Sequence, residues 1–147
     1  MSGQSHILTI TPLTPLAPSG EPGAYVPGVC NIGAWEIRRR RAFAIAGFVA
    51  AALLFAGLVA IQAPAWTRLF LLIPLMGGAF SWLQARRRFC AAFAMQGIAN
   101  FGDGRNEMQG VTGDAARRAD LAAVRRMTRD AFLIALPITI VAVLLPV

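Results

Sequence analysis

The sequence predicts an all-α integral membrane protein with three transmembrane helices, an extended N-terminal leader and a cytoplasmic amphipathic helical connection. Apolar residues make up 56% of the 147 positions and 14% are charged, against about 25% in an ordinary soluble domain. Thirteen of the fourteen arginines lie on one side of three apolar segments, and only Arg68 lies on the other. Because short basic loops stay in the cytoplasm, this distribution predicts both the number of spans and their orientation.

The first apolar segment is the clearest of the three. It holds twenty residues without a charged side chain, and at about 1.5 Å per residue a helix of that length crosses a hydrocarbon core of ~30 Å. The other two segments have seventeen residues each, and each contains a proline, Pro74 or Pro137. Trp35, Trp66 and Trp82 fall near predicted membrane boundaries, where indole rings are favoured. The predicted spans are residues 42–61, 69–85 and 131–147.

The segment before the first span has a different composition. Residues 1–29 contain five prolines, which disfavour a helix, and they lack the basic residues and apolar core of a signal peptide. We therefore expect an extended cytoplasmic leader, either disordered or laid along another surface. Residues 30–147 form the membrane domain. The absence of lysine beside abundant alanine is typical of a GC-rich bacterial genome, so we expect the bacterial cytoplasmic membrane, with the N-terminus cytoplasmic and the C-terminus periplasmic or external.

The long cytoplasmic connection, residues 86–130, divides into three parts. Residues 89–101 are apolar but too short to cross, so they are expected to lie in the interface or to fold back under the spans. A glycine-rich turn follows. Asp114 is a candidate N-cap for a helix with an apolar side, and this helix can continue unbroken into the third span.

Two sets of residues are candidates for packing and for lipid contact. Small residues let helix backbones approach closely, and arginines beside a span can bind anionic headgroups. The helix-packing candidates are Ala42, Ala46, Gly47, Ala50, Ala51, Gly77 and Ser81. The headgroup candidates are Arg38, Arg39, Arg40, Arg41, Arg86, Arg87 and Arg88.

Side chains with catalytic or metal-binding chemistry are few. His6 stands in the leader without acidic or cysteine neighbours, and Cys30 and Cys90 both map to the cytoplasm, where thiols stay reduced. The predicted spans carry no ionisable residue, which argues against a pump or a proton relay. We therefore expect no catalytic residue, cofactor or metal. Nucleic-acid binding is not expected either, because membrane topology accounts for the formal net charge of +7.

Two motifs resemble those of a family of small uncharacterised bacterial three-span membrane proteins. The first runs Cys-Asn-Ile-Gly from Cys30 and continues to Glu36, Ile37 and arginines; the second runs Arg-Phe-Cys-Ala-Ala-Phe from Arg88 and continues to Asn100. The resemblance implies three spans with both motifs facing the cytoplasm, and it implies no activity, cofactor or substrate. From the residues alone, Asn31 is expected to cap a helix containing Glu36, and Asn100 with Phe101 and Gly102 to stop one. The motif residues without an assigned role are Cys30, Asn31, Glu36, Cys90 and Asn100.

Three classes of function remain open. The first is a small accessory or assembly subunit of a larger energy-transducing membrane complex, respiratory or photosynthetic, with larger membrane subunits and anionic lipids as partners. The second is a homo-oligomeric channel or carrier, which would need a polar lumen formed by Gln62, Ser81, Gln84 or Gln96. The third is a membrane enzyme, which would need acids, bases or a metal near Cys30, Cys90, Glu36 or Asp103.

The charge distribution yields a topology test. Single-cysteine labelling at Arg38 and at Arg117 should place both positions on the same face of the membrane, and alkaline extraction should leave the chain in the bilayer. Labelling from opposite faces, or release at high pH without detergent, would contradict the three-span prediction.

Overall fold

The computed structural model describes residues 24–102 and 108–146, and this part of the chain is mostly helical. Three helical stretches, Ala34–Ala60, Ala65–Arg87 and Asp114–Leu144, are long and apolar enough to cross a membrane. The architecture is therefore compatible with a multi-pass protein of three spans. Residues 1–23 of the predicted leader lie outside the described residues. The elements, in chain order, are α1 (Ala34–Ala60), a 3₁₀ helix (Ala65–Leu71), α2 (Leu72–Arg87), α3 (Ala91–Gln96), β1 (Ile98–Asn100), β2 (Met108–Gly110) and α4 (Asp114–Leu144).

Helix α1 begins eight residues before the predicted span at residues 42–61. The arginine run forms part of its first two turns, because arginine is a good helix former and hydropathy marks only the uncharged part of the helix. Glu36 lies in the first turn, where a carboxylate is favoured by the helix dipole, and it pairs with Arg39 and Arg40 three and four residues later.

The second span begins as a 3₁₀ helix. This tighter helix covers the first residues of the predicted span at 69–85, and the α-helical part starts only at Leu72. Pro74 lies in the first turn of α2, where a missing N–H disrupts little. Both prolines of the shorter spans are thus accommodated within helices, since Pro137 lies inside α4 and that helix continues past it.

Helix α4 runs unbroken for 31 residues, which confirms that the predicted amphipathic helix continues into the third apolar segment. The predicted N-cap is wrong. Gly113 is the cap residue, with φ of 103°, and Asp114 is the first residue of the helix. An aspartate is favoured at the N-cap and also in the first turn of a helix, where it interacts with the helix dipole. Asp114 therefore indicates the start of α4 without identifying the cap residue.

The connection after α2 also contains a short pair of strands, although the described part of the chain is mostly helical. Residues 89–101 contain the short helix α3, which packs against α4, followed by strand β1. Strand β1 pairs antiparallel with β2, with Ala99 opposite Gln109. The helix ends at Gly97, which adopts φ of 68°, and not at the predicted stop from Asn100 to Gly102.

Helix α2 packs against both α1 and α4 and forms the centre of the bundle. Gly47 of α1 lies against Gly78 of α2. A Cβ atom on Gly47 would lie 2.7 Å from the backbone of Gly78, so Gly47 requires the absence of a side chain, whereas a Cβ atom on Gly78 would meet the Phe48 ring at 3.1 Å. Ala44 and Ala51 are buried on the same side of α1.

The other predicted packing residues are placed differently. Ala42, Ala46 and Ala50 are exposed. A Cβ atom added to Gly77 would meet nothing within 4 Å, so it is Gly78 that faces α1. Ser81 is partly buried. The ridge of α1 that contacts α2 within the chain is therefore the one that contains Gly47 and Ala51.

The contact between Gly47 and Gly78 predicts that the same substitution at two positions of α1 has very different effects on stability. Gly47→Leu should destabilise the fold by about 1–3 kcal/mol, because the side chain overlaps the α2 backbone. Gly57→Leu is the matched control, since a Cβ there meets nothing within 4 Å. Thermal unfolding of both variants in detergent measures the difference. Equal stabilities would place Gly47 away from the helix contact.

Candidate functional site

Four of the five motif residues, all except the partly buried Cys30, converge on one cluster at the arginine-rich end of the bundle. Its centre is a pair of hydrogen bonds between the Asn31 side chain and the backbone of Cys90. The Asn31 amide nitrogen donates to the Cys90 carbonyl at 3.0 Å, and the Cys90 N–H donates to Asn31 Oδ1 at 2.6 Å. Asn31 and Cys90 are both fully buried. We name the group of Asn31, Glu36, Arg40, Cys90 and Asn100 the Asn31 cluster.

Backbone hydrogen bonds hold the segment before α1 against the segment after α3. Gly33 N–H donates to the Asn100 carbonyl at 2.8 Å, and Asn100 N–H donates to the Asn31 carbonyl at 2.9 Å. A Cβ on Gly33 would lie 2.5 Å from the carbonyl oxygen of Phe101, so only glycine permits this approach. Gly33 is the N-cap of α1, and the prediction that Asn31 caps this helix is wrong. The Asn31 side chain instead forms hydrogen bonds with the backbone of Cys90.

A charged pair closes the other side of the Asn31 cluster. Arg40 Nη2 lies 2.9 Å from Cys90 Sγ and 3.5 Å from Glu36 Oε2. Glu36 is 2% exposed, and a buried carboxylate needs such a counter-charge to offset its lost hydration. Cys30 and Cys90 are both free thiols. The Cys90 sulfur is therefore held inside the fold by a guanidinium, without access to solvent.

The last part of the leader is attached to α4 through Asp120. Tyr25 donates its hydroxyl to Asp120 Oδ2 at 2.9 Å, and Gly28 donates its N–H to Asp120 Oδ1 at 2.6 Å. Asp120 is fully buried. Burial and the adjacent carboxylate raise the pKa of Tyr25 above its ordinary value, so the phenol stays protonated and keeps donating. Gly28 adopts φ of 70°, a conformation that glycine tolerates best.

The predicted headgroup arginines separate into two groups. Arg39, Arg40 and Arg87 pair with carboxylates, Arg87 with Asp130 at 2.6 Å. The remaining four are exposed at the end of the bundle, and among them Arg88 also provides the left-handed residue that ends α2. These exposed four are Arg38, Arg41, Arg86 and Arg88.

Arg68 has a role that the sequence reasoning missed. It is 3% exposed at the opposite end of the bundle, and Nη1 donates to the carbonyls of Ala142 at 3.1 Å and Leu145 at 2.7 Å. Both carbonyls lie in the last turn and at the C-cap of α4, where backbone carbonyls have no N–H partner within the helix. The available signal was the isolation of one arginine in a short turn between two apolar spans.

The polar residues required by the channel hypothesis do not share one location. Gln62 follows the end of α1, whereas Gln84 is buried near the opposite end of α2, where its Oε1 accepts the N–H of Ala91 at 3.2 Å. Gln96 ends α3 and is exposed. Within residues 24–102 and 108–146, no group of three or more His, Cys, Asp or Glu side chains could hold a metal ion. Asp103 and His6 lie outside the described residues.

Comparisons with known proteins add no constraint on function. Scans against family models, curated proteins and solved structures gave no significant match. The arrangement of the Asn31 cluster therefore has to be interpreted from its own chemistry. Its thiol and its carboxylate both contact Arg40, and its amide side chains bind backbone groups. These contacts suit the cluster to fixing the two loops at this end of the bundle.

The hydrogen bonds of the Asn31 cluster predict that replacing the Asn31 amide lowers the stability of the fold. Asn31→Leu keeps the number and branching of the side-chain heavy atoms but leaves the Cys90 N–H unpaired in the interior, at a cost of about 1–3 kcal/mol. Gln96→Leu removes an exposed amide nearby and is the control. Thermal unfolding in detergent should show a clear loss for Asn31→Leu alone. Similar midpoints for the two variants would show that the pair of hydrogen bonds is not important for stability.

Proposed function

We propose that the protein is a non-catalytic accessory or assembly subunit of a larger bacterial membrane complex, of the energy-transducing type, respiratory or photosynthetic. In this role the chain contributes helix surface to neighbouring subunits and basic side chains to lipid headgroups. Its own side-chain chemistry serves to hold its fold together.

The observation that carries the proposal is the exposed surface of α1. This helix has 27 residues, yet only Glu36, Ala44 and Ala51 are buried within the described part of the chain. Large apolar side chains such as Ile45, Val49 and Leu53 are half or more exposed. Lipid or a partner helix must cover such a surface, since water cannot.

The exposed side of α1 favours a helical partner at one position. Ala42, Ala46 and Ala50 follow one another at four-residue spacing and are all exposed. Small residues in such a row let a second helix approach closely and gain dispersion energy that lipid chains do not provide as well. They lie on a different side of α1 from the ridge that packs against α2.

The location of the protein in the cell is part of the proposal. Orientation by the arginine-rich loops would put the Asn31 cluster and the end of the leader in the cytoplasm, and the C-terminus in the periplasm. The leader is then available to a cytoplasmic surface of the partner. The hydrogen bonds from Tyr25 and Gly28 to Asp120 hold the end of the leader against α4.

The proposal predicts that partner subunits copurify with the protein and that their recovery depends on the row of Ala42, Ala46 and Ala50. Native purification of the tagged full chain should recover larger membrane proteins in stoichiometric amounts, identified by mass spectrometry. Ala46→Phe should reduce their recovery severalfold, because it adds bulk where a helix is expected to approach.

Ile73→Phe is the matched control, since it places the same ring on an exposed apolar position of α2. Both variants should unfold at the same temperature as the unsubstituted protein. A lone monodisperse monomer from gentle detergent would count against an accessory role. Recovery of a complex without respiratory or photosynthetic subunits would reject the energy-transducing host.

A further inference from the structure

A groove runs between α1 and α2 at the arginine-rich end of the bundle. Its volume is about 440 Å³, within the range of ~300–1,000 Å³ that is common for sites binding small molecules. One wall comes from α1 and the other from α2. Residues lining it include Arg41, Ala44, Ile45 and Phe48 of α1 and Trp82 and Arg86 of α2.

The groove is basic at one end and apolar beyond it. Arg41 precedes the uncharged part of α1, while Ile45 and Phe48 lie one and two turns further along and are exposed. Arg86 lies in the last turn of α2, next to the end of the same groove. This arrangement matches an amphiphile whose charged group lies at the membrane surface and whose chain extends into the hydrocarbon.

The two arginines of the groove carry charge that the described residues do not neutralise. Within residues 24–102 and 108–146, the ion pairs use other arginines, and neither Arg41 nor Arg86 meets a carboxylate. The Arg86 guanidinium lies 5.2 Å from the centre of the Trp82 ring. Stacking holds the plane of the group in place and leaves its N–H donors free at the edge.

We propose that this groove binds one anionic phospholipid, with the phosphate between Arg41 and Arg86 and an acyl chain along Ala44, Ile45 and Phe48. Guanidinium groups bind phosphate oxygens through charge-assisted hydrogen bonds, which gives the site its selectivity. The apolar wall contributes affinity but does not distinguish one lipid from another. The site depends on a membrane location for the chain and not on the accessory role.

A second groove is a weaker candidate for a phospholipid site, because one of its arginines is already paired with a carboxylate. It has a volume of about 330 Å³ and is lined by Arg87, Arg126 and Met127, among others. Arg87 is bound to Asp130 at 2.6 Å, so a carboxylate already offsets its charge. In the groove between α1 and α2, neither arginine pairs with a carboxylate among residues 24–102 and 108–146. This groove also has an exposed apolar wall, so it is the better match to a phospholipid.

Trp82 offers a direct probe of occupancy. In a Trp35→Phe, Trp66→Phe background, the full chain is reconstituted into phosphatidylcholine bilayers that contain brominated phosphatidylglycerol or brominated phosphatidylcholine. Bromine quenches indole fluorescence on contact. At equal mole fraction the anionic lipid should quench Trp82 with about tenfold higher relative affinity, since each arginine near the membrane surface contributes up to about fivefold.

Charge variants separate a specific site from general attraction to the surface. Arg41→Gln with Arg86→Gln should lower the preference to about twofold or less, while Arg41→Lys with Arg86→Lys should keep most of it. Arg118→Gln with Arg125→Gln removes the same total charge from exposed positions outside the groove and should leave the preference near its original value.

Three results would overturn the proposal. Equal quenching by both lipids would show non-selective lipid contact, and equal losses in the two Gln double variants would show a general surface effect. Protection of Trp82 from both lipids in a purified complex, with no lipid retained, would show that a partner helix fills the groove. The last result would support the accessory role while rejecting the lipid site, so the two proposals fail separately.

Discussion

The two hydrogen bonds between the Asn31 side chain and the Cys90 backbone are the constraint on which the arginine-rich end of the bundle depends. They join positions 59 residues apart, one just before α1 and the other just after α2. Because both partners are fully buried, each bond replaces hydration that the group has lost, and breaking one leaves a donor without a partner. The α1–α2 hairpin is closed at its base in this way, and the Arg40 guanidinium then has a fixed sulfur and a fixed carboxylate to bind.

The remaining contacts of the hairpin follow from this closure. In the middle, Gly47 and Gly78 bring the two backbones together without side chains between them. At the far end, Arg68 of the 3₁₀ helix binds the final carbonyls of α4, and its guanidinium carbon lies 5.8 Å from the centre of the Phe55 ring, so it links the 3₁₀ helix with α1 and α4. Membrane helices gain little from the hydrophobic effect on packing together, so close backbone contact in the centre and polar bonds at both ends supply the association.

The sequence predicts the long helices well and the contacts between them poorly. Hydropathy identifies the three apolar helices, and periodicity identifies the continuity of α4, because both are local properties of the chain. The partner of Asn31 has no local signal, since its hydrogen bond spans 59 positions. Gly78 was missed in favour of Gly77 because α2 is apolar on all sides, so hydropathy does not show which side faces α1.

The geometry of α1 allows both proposed uses of its surface at once. At about 100° per residue, Ala44, Gly47 and Ala51 lie within one sector of the helix, the one that contacts α2. Arg41, Ile45 and Phe48 lie on one side of this sector and face the groove, whereas the row of Ala42, Ala46 and Ala50 lies on the other side. A phospholipid in the groove would therefore not occupy the surface that a partner helix needs. It would fill the space between two helices of this chain, and a neighbouring subunit would pack against α1 from the opposite direction.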